Sequence, residues 1–316
     1  MAQTLAQAAL LTQNQLQRGV LEIFVYESPI LERLPFMTIN GNALAYDSES
    51  TLPGVAFRAV NEAYAESTGT ITQNTEALSI FGGDADVDKF IVQTLGNMND
   101  QRAVVTRMKV KSIVQQFQDS FINGSTAVNP KAFNGLKVKL TGTQVITAGV
   151  NGLPVVGNGT TDPDAFFDVL NQLIYQVVGG QPDALLMNRS ILLRIQSAMR
   201  RKLIYNETRD SFGRPYATYG GIPLLDVGYQ GDVVANSVIP QTETTGTSAV
   251  TSSIYAVRFG GGVADRAVTG LTNGGVQVID KGLLEVQNVY RTNIEFYCGL
   301  AVFGKGAARL AGVLDA

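Results

Sequence analysis

The chain predicts an α+β fold in which a long ribbon and a long helix precede a β-rich return to the C-terminus. Three observations carry this reading. Val110, Ile113, Val114, Phe117 and Phe121 recur at helical spacing within residues 99–122. Residues 34–81 fall into β-like runs with turn signals but hold too few large apolar residues for a core of their own. From Gly275 onward, Val276, Val278, Val286, Val289, Tyr290 and the run 294–303 read as sheet.

Residues 3–18 predict a short polar helix, with Leu5, Ala9, Leu11 and Leu16 on its weak apolar side and Gly19 as its stop. Such a helix is marginal alone. It reads as an arm, too polar to be core, that gains order by lying on something else. An apolar run over 20–25 follows, broken at Ser28-Pro29. The ribbon's outgoing limb is predicted over 36–39 and 43–46, split by the turn signal Asn40-Gly41, and its return limb over 70–80. Between the limbs stand Leu52, Val55, Phe57, Arg58, Glu62 and Glu66. A ribbon without a core must be covered by another chain or stay mobile.

Gly82-Gly83 punctuates the chain, and Asp84, Asp86 and Asp88 follow at alternate positions. A strand would bring the three carboxylates to one face. The calcium-loop template fails, because Lys89 stands where the turn glycine is needed and Leu95 where the bidentate glutamate belongs. Acids before a helix start, favoured by the helix dipole, explain them as well.

The helix over 99–122 is capped by Asn99 or Asp100 and ended by Asn123-Gly124, a rod of roughly 36 Å. Arg102, Arg107, Lys109 and Lys111 occupy its other faces. Residues 133–160 read as strand and turn, and the chain's six Asn-Gly pairs mark many tight turns. A second helix opens at Thr161-Asp162-Pro163 and buries Phe166, Phe167, Leu170, Ile174 and Val177. A buried strand over 184–187 leads into a third helix from Arg189, with Ile191, Ile195 and Met199 inside. Its last turn, Arg200-Arg201-Lys202, suits the dipole. Strands are predicted over 222–228 and 253–259, with a polar loop over 236–250. Gly260-Gly261-Gly262 lacks the lysine and spacing of a phosphate loop.

Composition restricts the chemistry. The 316 residues contain no histidine, which removes the usual general base near neutral pH and the commonest metal ligand. One cysteine, Cys298, excludes an intrachain disulfide and a cysteine zinc site, and its apolar surroundings predict an inert buried thiol. The net charge of −3 gives no basic field for tight nucleic-acid binding. Charged residues are 16% against the roughly 25% of average chains. That fits a surface covered by neighbours, and equally a β-rich domain with Thr, Asn and Gln surfaces. No signal peptide or membrane span is predicted, so the Asn-x-Ser/Thr triplets at Asn123, Asn158, Asn188 and Asn206 are chance matches.

The order of these elements, with Leu185-Leu186-Met187-Asn188, the turn Asp210 to Gly213-Arg214-Pro215, Gly221-Ile222-Pro223 and the end 291–307, resembles tailed-bacteriophage major capsid proteins of the Hong Kong 97 fold. The resemblance covers nearly the whole chain. It implies an N-terminal arm over 1–33 and an extended β-hairpin loop over 34–81. A peripheral domain over 82–154 would carry the spine helix 99–122. An axial domain would span 155–255, and the β-rich return 256–316 would complete both. Its function would be to self-assemble into pentamers and hexamers of an icosahedral head enclosing double-stranded DNA, contacted weakly and non-specifically. No cofactor, metal or catalytic residue is implied.

Expected partners are further copies of the chain, a portal protein at one vertex, and separate scaffolding and cement proteins, with assembly in the bacterial host cytoplasm. The interface would use Leu52, Val55, Phe57, Arg58, Glu62 and Glu66, with Arg102 and Arg107 as candidate partners on the spine helix. Some relatives weld neighbours through an extended-loop lysine, but residues 34–81 contain none. No long N-terminal scaffold region is expected either. Two alternatives stand beside this reading: the shell of an encapsulin-like cellular nanocompartment, and a carboxylate-dependent hydrolase using Asp84, Asp86 and Glu62.

Overall fold

The computed structural model describes every residue except 1–2, 12–14, 96–99, 158–163, 205, 210–212, 214, 232–235 and 316. Two main sheets and one separate ribbon organise it. The five-stranded sheet runs in the order Gln3–Thr4, Pro35–Thr38, Val268–Leu283, Val289–Val302, Ser79–Asp88. Its long hairpin, Val268–Leu283 with Val289–Val302, is antiparallel, whereas Pro35–Thr38 joins it in parallel.

The long helix Gln101–Asn123 crosses this sheet. Asp100 caps it by accepting from the amides of Arg102 and Ala103. The predicted stripe Val110, Ile113, Val114, Phe117 and Phe121 is buried. Phe117 is its hub, with ring centroids of Phe36, Phe81, Phe121, Phe133 and Phe296 at 6.0–6.4 Å.

The nine-stranded sheet has the central order Val145–Thr147, Ala307–Leu314, Ser248–Val257, Ala184–Met187, Ile222–Asp226, Pro215–Tyr219, Asn206–Arg209. Glu243–Thr245 and Leu153–Pro154 pair beside this path. Ala184–Met187 is buried on both faces, which is why it reads as an unbroken apolar run. Leu185 and Met187 join the core beneath the helices Ala165–Gln176 and Arg189–Arg201, while Ala184 and Leu186 join the core of the long helix. The two-residue period of a strand thus connects both cores.

Several expectations are corrected. Residues 34–39 are not ribbon: Leu34, Phe36 and Ile39 are buried, and Pro35–Thr38 belongs to the five-stranded sheet. The ribbon is Ala43–Thr51 paired with Thr70–Ala77. Gly82-Gly83 lies inside the strand Ser79–Asp88, because its whole length pairs with 289–298. Residues 136–139 form a helical turn instead of a strand. The loop predicted over 236–250 contains the strand Glu243–Thr245, and the next strand begins at Ser248. Polar side chains hid these strands. Thr251, Ser252 and Ser253 are buried, and Thr251 and Ser253 are hydrogen-bonded through their side chains. The start of the second helix, 161–163, lies outside the described residues.

The N-terminal segment is corrected most. Gly19 does not stop a helix but sits within Gln15–Glu27, after a first helix Leu5–Leu11. A mid-helix glycine costs about 1 kcal/mol, and the burial of Val20, Leu21, Phe24 and Val25 far exceeds that. Ile30, Leu31 and Leu34 continue the same core, and Leu5 joins it. We therefore expect deletion of residues 1–14 to leave a soluble subunit that melts cooperatively, at a cost of roughly 1.5–3 kcal/mol for Leu5. Deletion of residues 1–34 should leave no folded subunit. Calorimetry of both truncations checks this, and a cooperative transition in the longer one would sink it.

Candidate assembly interface

The ribbon is anchored at its base and bare beyond it. Tyr46 sets its ring edge-on to Phe303 at 4.8 Å and donates to the Val302 carbonyl. Burial, helped by the nearby Glu76 carboxylate, pushes its hydroxyl up to about 12. Leu44 and Leu78 pack with Ile39, Leu271, Ala301 and Phe303. Lys139 pairs with Glu76 at 2.5 Å. Farther out, the two strands hold each other through ladder bonds and the 2.6 Å contact of Thr51 Oγ1 with Thr70 Oγ1.

Residues 52–69 form the tip, exposed at every position. Leu52, Val55, Phe57, Val60 and Tyr64 all face solvent, Val55 at 98% and Phe57 completely. Arg58 lies over the Tyr64 ring at 5.2 Å and donates to the Glu62 carbonyl. Glu62 accepts from the Ala59 amide. Asn61 turns the chain in the left-handed region, at φ 68°, which Asn tolerates. Glu66 is exposed. The tip is therefore locally shaped while its large apolar groups remain uncovered, the pattern of a surface built for a partner.

Arg102 and Arg107 differ. Arg102 is engaged within its own chain, 2.6 Å from Asp280 and over the Tyr290 ring at 5.0 Å. That occupation weakens it as a partner for Glu62 or Glu66. Arg107 is exposed beside Met108, also exposed. Phe90 and Ile91, on the helix Lys89–Leu95, are uncovered as well. Sequence reading missed them because their spacing resembles that of any amphipathic start.

The axial motif has a structural explanation at the positions described. Asn188 is buried and caps the helix Arg189–Arg201: its Oδ1 accepts from the Ile191 amide at 2.9 Å. Its Nδ2 donates to the Ile239 carbonyl at 3.2 Å and Ser252 Oγ at 3.1 Å. We expect Asn188→Ala to cost about 2 kcal/mol or more, since a cap and two buried partners are lost together. Asn188→Asp should cost as much, because it keeps the cap acceptor but loses both donors. Urea unfolding of both variants checks this, and a neutral Asn188→Asp would refute it.

Gly220 and Gly221, both at positive φ, make the two-residue turn between Pro215–Tyr219 and Ile222–Asp226. Pro223 opposes Thr218, and the parallel ladder to Ala184–Met187 starts only at Leu224, so its missing N–H breaks no pairing there. Gly213 takes φ 79° just before the strand that starts at Pro215. Asp210 and Arg214 lie outside the described residues.

Superposition finds this fold in shell proteins. The SrpI encapsulin of Synechococcus elongatus PCC 7942 matches with a TM-score of 0.65 at 16% identity, over 91% of this chain and 88% of that one. The capsid of a native GTA particle matches with 0.62 at 12% identity, over 91% and 90%. Microbacterium phage Oxtober96 matches with 0.59 at 11% identity, over 91% of both chains. Likeness at such identities establishes the fold, that of Hong Kong 97 capsids. By sequence, no curated protein matches. Residues 12–164, however, match the family of major capsid protein GP7. That match spans just under half of the chain, and together with the fold it supports a tailed-phage major capsid protein.

The family match includes the whole ribbon and the long helix of this chain. Its acidic triplet and its cysteine are spent on structure. Arg291 grips Asp86 with two bonds, at 2.7 and 2.5 Å, and reaches Asp84 at 3.3 Å, while Asn293 donates to Asp84. The hydrogen bonds from Arg291 hold the Asp86 carboxyl below its usual range. Asp88 accepts from the Phe90 amide, as an acid at a helix start does. Glu62 stands apart on the ribbon tip. Cys298 is fully buried, and burial pushes its thiol far up, the state of an inert thiol.

Proposed function

We propose that this chain is a capsid subunit whose copies close into an icosahedral head of pentamers and hexamers around double-stranded DNA, with the ribbon tip as the main contact between neighbours. The single observation behind the contact is the tip, where five large apolar side chains are presented to solvent on a segment without a core. In this reading the ribbon is the extended loop. The five-stranded sheet with its long helix is the peripheral domain. The nine-stranded sheet with its two helices is the axial domain around the five-fold and six-fold centres. Such rings need heterologous contacts, in which one surface meets a different surface on the next copy. Phe57 supplies buried area there, while Arg58, Glu62 and Glu66 set register. Arg107 is the better candidate of the two spine-helix arginines to receive them.

A portal protein at one vertex, separate scaffolding and cement proteins, assembly in the host cytoplasm and the absence of catalysis belong to the same reading. Negative-stain microscopy of the purified chain tests it: closed particles of uniform diameter are expected, and monomers under all salt conditions would overturn it. The ribbon limbs and tip contain no lysine to weld neighbours. We therefore expect particles to fall apart to monomer bands in boiling detergent without reductant. A ladder of covalent multimers would contradict that. The encapsulin match supports one second reading, a nanocompartment shell. Protein cargo instead of DNA in native particles would favour it.

A further inference from the structure

We propose that the short helical turn Leu136–Lys139 sets the direction of the ribbon relative to the nine-stranded sheet. The turn is seated on the end of the long helix. Gly135, just before it, donates to the Gly124 carbonyl at 2.8 Å and lies so close that a Cβ there would come 2.5 Å from the Ser120 carbonyl oxygen. Leu136 is fully buried. The seat is therefore fixed.

Two lysines leave this turn in different directions. Residues two apart on a helix are about 200° apart around its axis. Lys139 reaches Glu76 on the ribbon, opposite Leu44 near the base. Lys137 reaches Glu243 at 2.9 Å. Glu243 is held in turn by Arg309 at 3.1 Å and by Ser253, both on strands of the nine-stranded sheet. Burial pushes the Glu243 carboxyl up, but its bonds to Lys137 and Ser253 and the charge of Arg309 outweigh that and leave it below the usual range. One turn thus joins ribbon, long helix and nine-stranded sheet.

Apart from the long Tyr46 hydrogen bond to the Val302 carbonyl, at 3.3 Å, the ribbon's other attachments at its base are of a different kind. Tyr46, Leu44 and Leu78 tie it by apolar packing to Phe303 and its neighbours. Apolar contact is non-directional and permits a pivot. The Lys139–Glu76 pair is directional and largely buried, with the side chains 10% and 20% exposed. Swinging the ribbon would break it and strand a charge, which is strongly disfavoured. The consequence for a shell rests on the capsid reading: ribbon direction decides where the tip meets the next copy.

The test uses dissociated subunits of the full chain, so its failure is separate from any failure of the capsid reading. Spin labels go on Val60→Cys at the tip and Val250→Cys on the nine-stranded sheet, both exposed positions, while buried Cys298 stays unlabelled. Pulsed electron paramagnetic resonance should give one narrow distance distribution in the parent. In Lys139→Gln it should widen about twofold as the ribbon pivots on its apolar contacts. Glu76→Gln should widen it likewise, and it supplies the test if Lys139→Gln does not fold. The exchanged pair Lys139→Glu with Glu76→Lys should narrow it again. A distribution in Glu76→Gln as narrow as the parent's would overturn the proposal.

Discussion

Phe57→Ala should leave the subunit's melting nearly unchanged and abolish closed particles. The first half follows from exposure. Phe57 touches no core, and surface substitutions of that kind stay within about 0.5 kcal/mol. The second half follows from repetition. A central aromatic at an interface is worth about 2 kcal/mol or more. A loss of that size weakens each contact roughly 30-fold, and every copy in a shell makes the contact. Arg58→Glu should act in the same direction. It removes the cation over Tyr64 and the bond to the Glu62 carbonyl, and it places a third acid beside Glu62 and Glu66. Calorimetry and microscopy on the same preparations decide the matter. Normal particles from both variants would sink the interface, and so would a subunit that unfolds outright.

Phe117→Ala should do the reverse and remove the subunit itself. Phe117 is fully buried at the meeting point of five other rings, contributed by the long helix, three strands of the five-stranded sheet and the segment after the helix. Truncating a buried Phe costs about 3–5 kcal/mol, against a total stability of about 5–15 kcal/mol for a folded domain. A large fall in the urea midpoint, or insoluble protein, is expected. Phe117→Leu should lose clearly less, because most of the volume remains. A Phe117→Ala subunit that melts like the parent would show that the aromatic cluster is not the centre of the core.

The residues that specify elements by local pattern were legible in the sequence. The stripe from Val110 to Phe121 needs only helical periodicity, Ala184–Met187 only an apolar run, and Asn188 only its place before a helix. The tip residues were legible for the opposite reason: apolar groups without enough neighbours in sequence to bury them. Elements with mixed or polar character were misread. Residues 136–139 contain two lysines, and 248–253 are mostly Thr and Ser, so neither carries a hydrophobic period. Their conformation comes from distant partners such as Glu76, Glu243 and Leu314.

What the sequence by itself determined is the inventory: a long amphipathic helix, a ribbon that cannot fold on its own, and no histidine or cysteine pair for chemistry. These depend on composition and on spacing within one element, which local chain geometry is enough to interpret. The tertiary structure decided which segments share a core. It drew residues 15–33 out of the supposed arm, and Leu34 out of the supposed ribbon, into the packing around Phe117, because Val20, Phe24, Ile30 and Leu34 find apolar surface only on a helix and strands remote in sequence. It also decided that Arg102 turns to Asp280 and Tyr290 and that one lysine turn joins ribbon to sheet. Such pairings depend on where the backbone brings charges together in space, and no spacing along the chain encodes that distance.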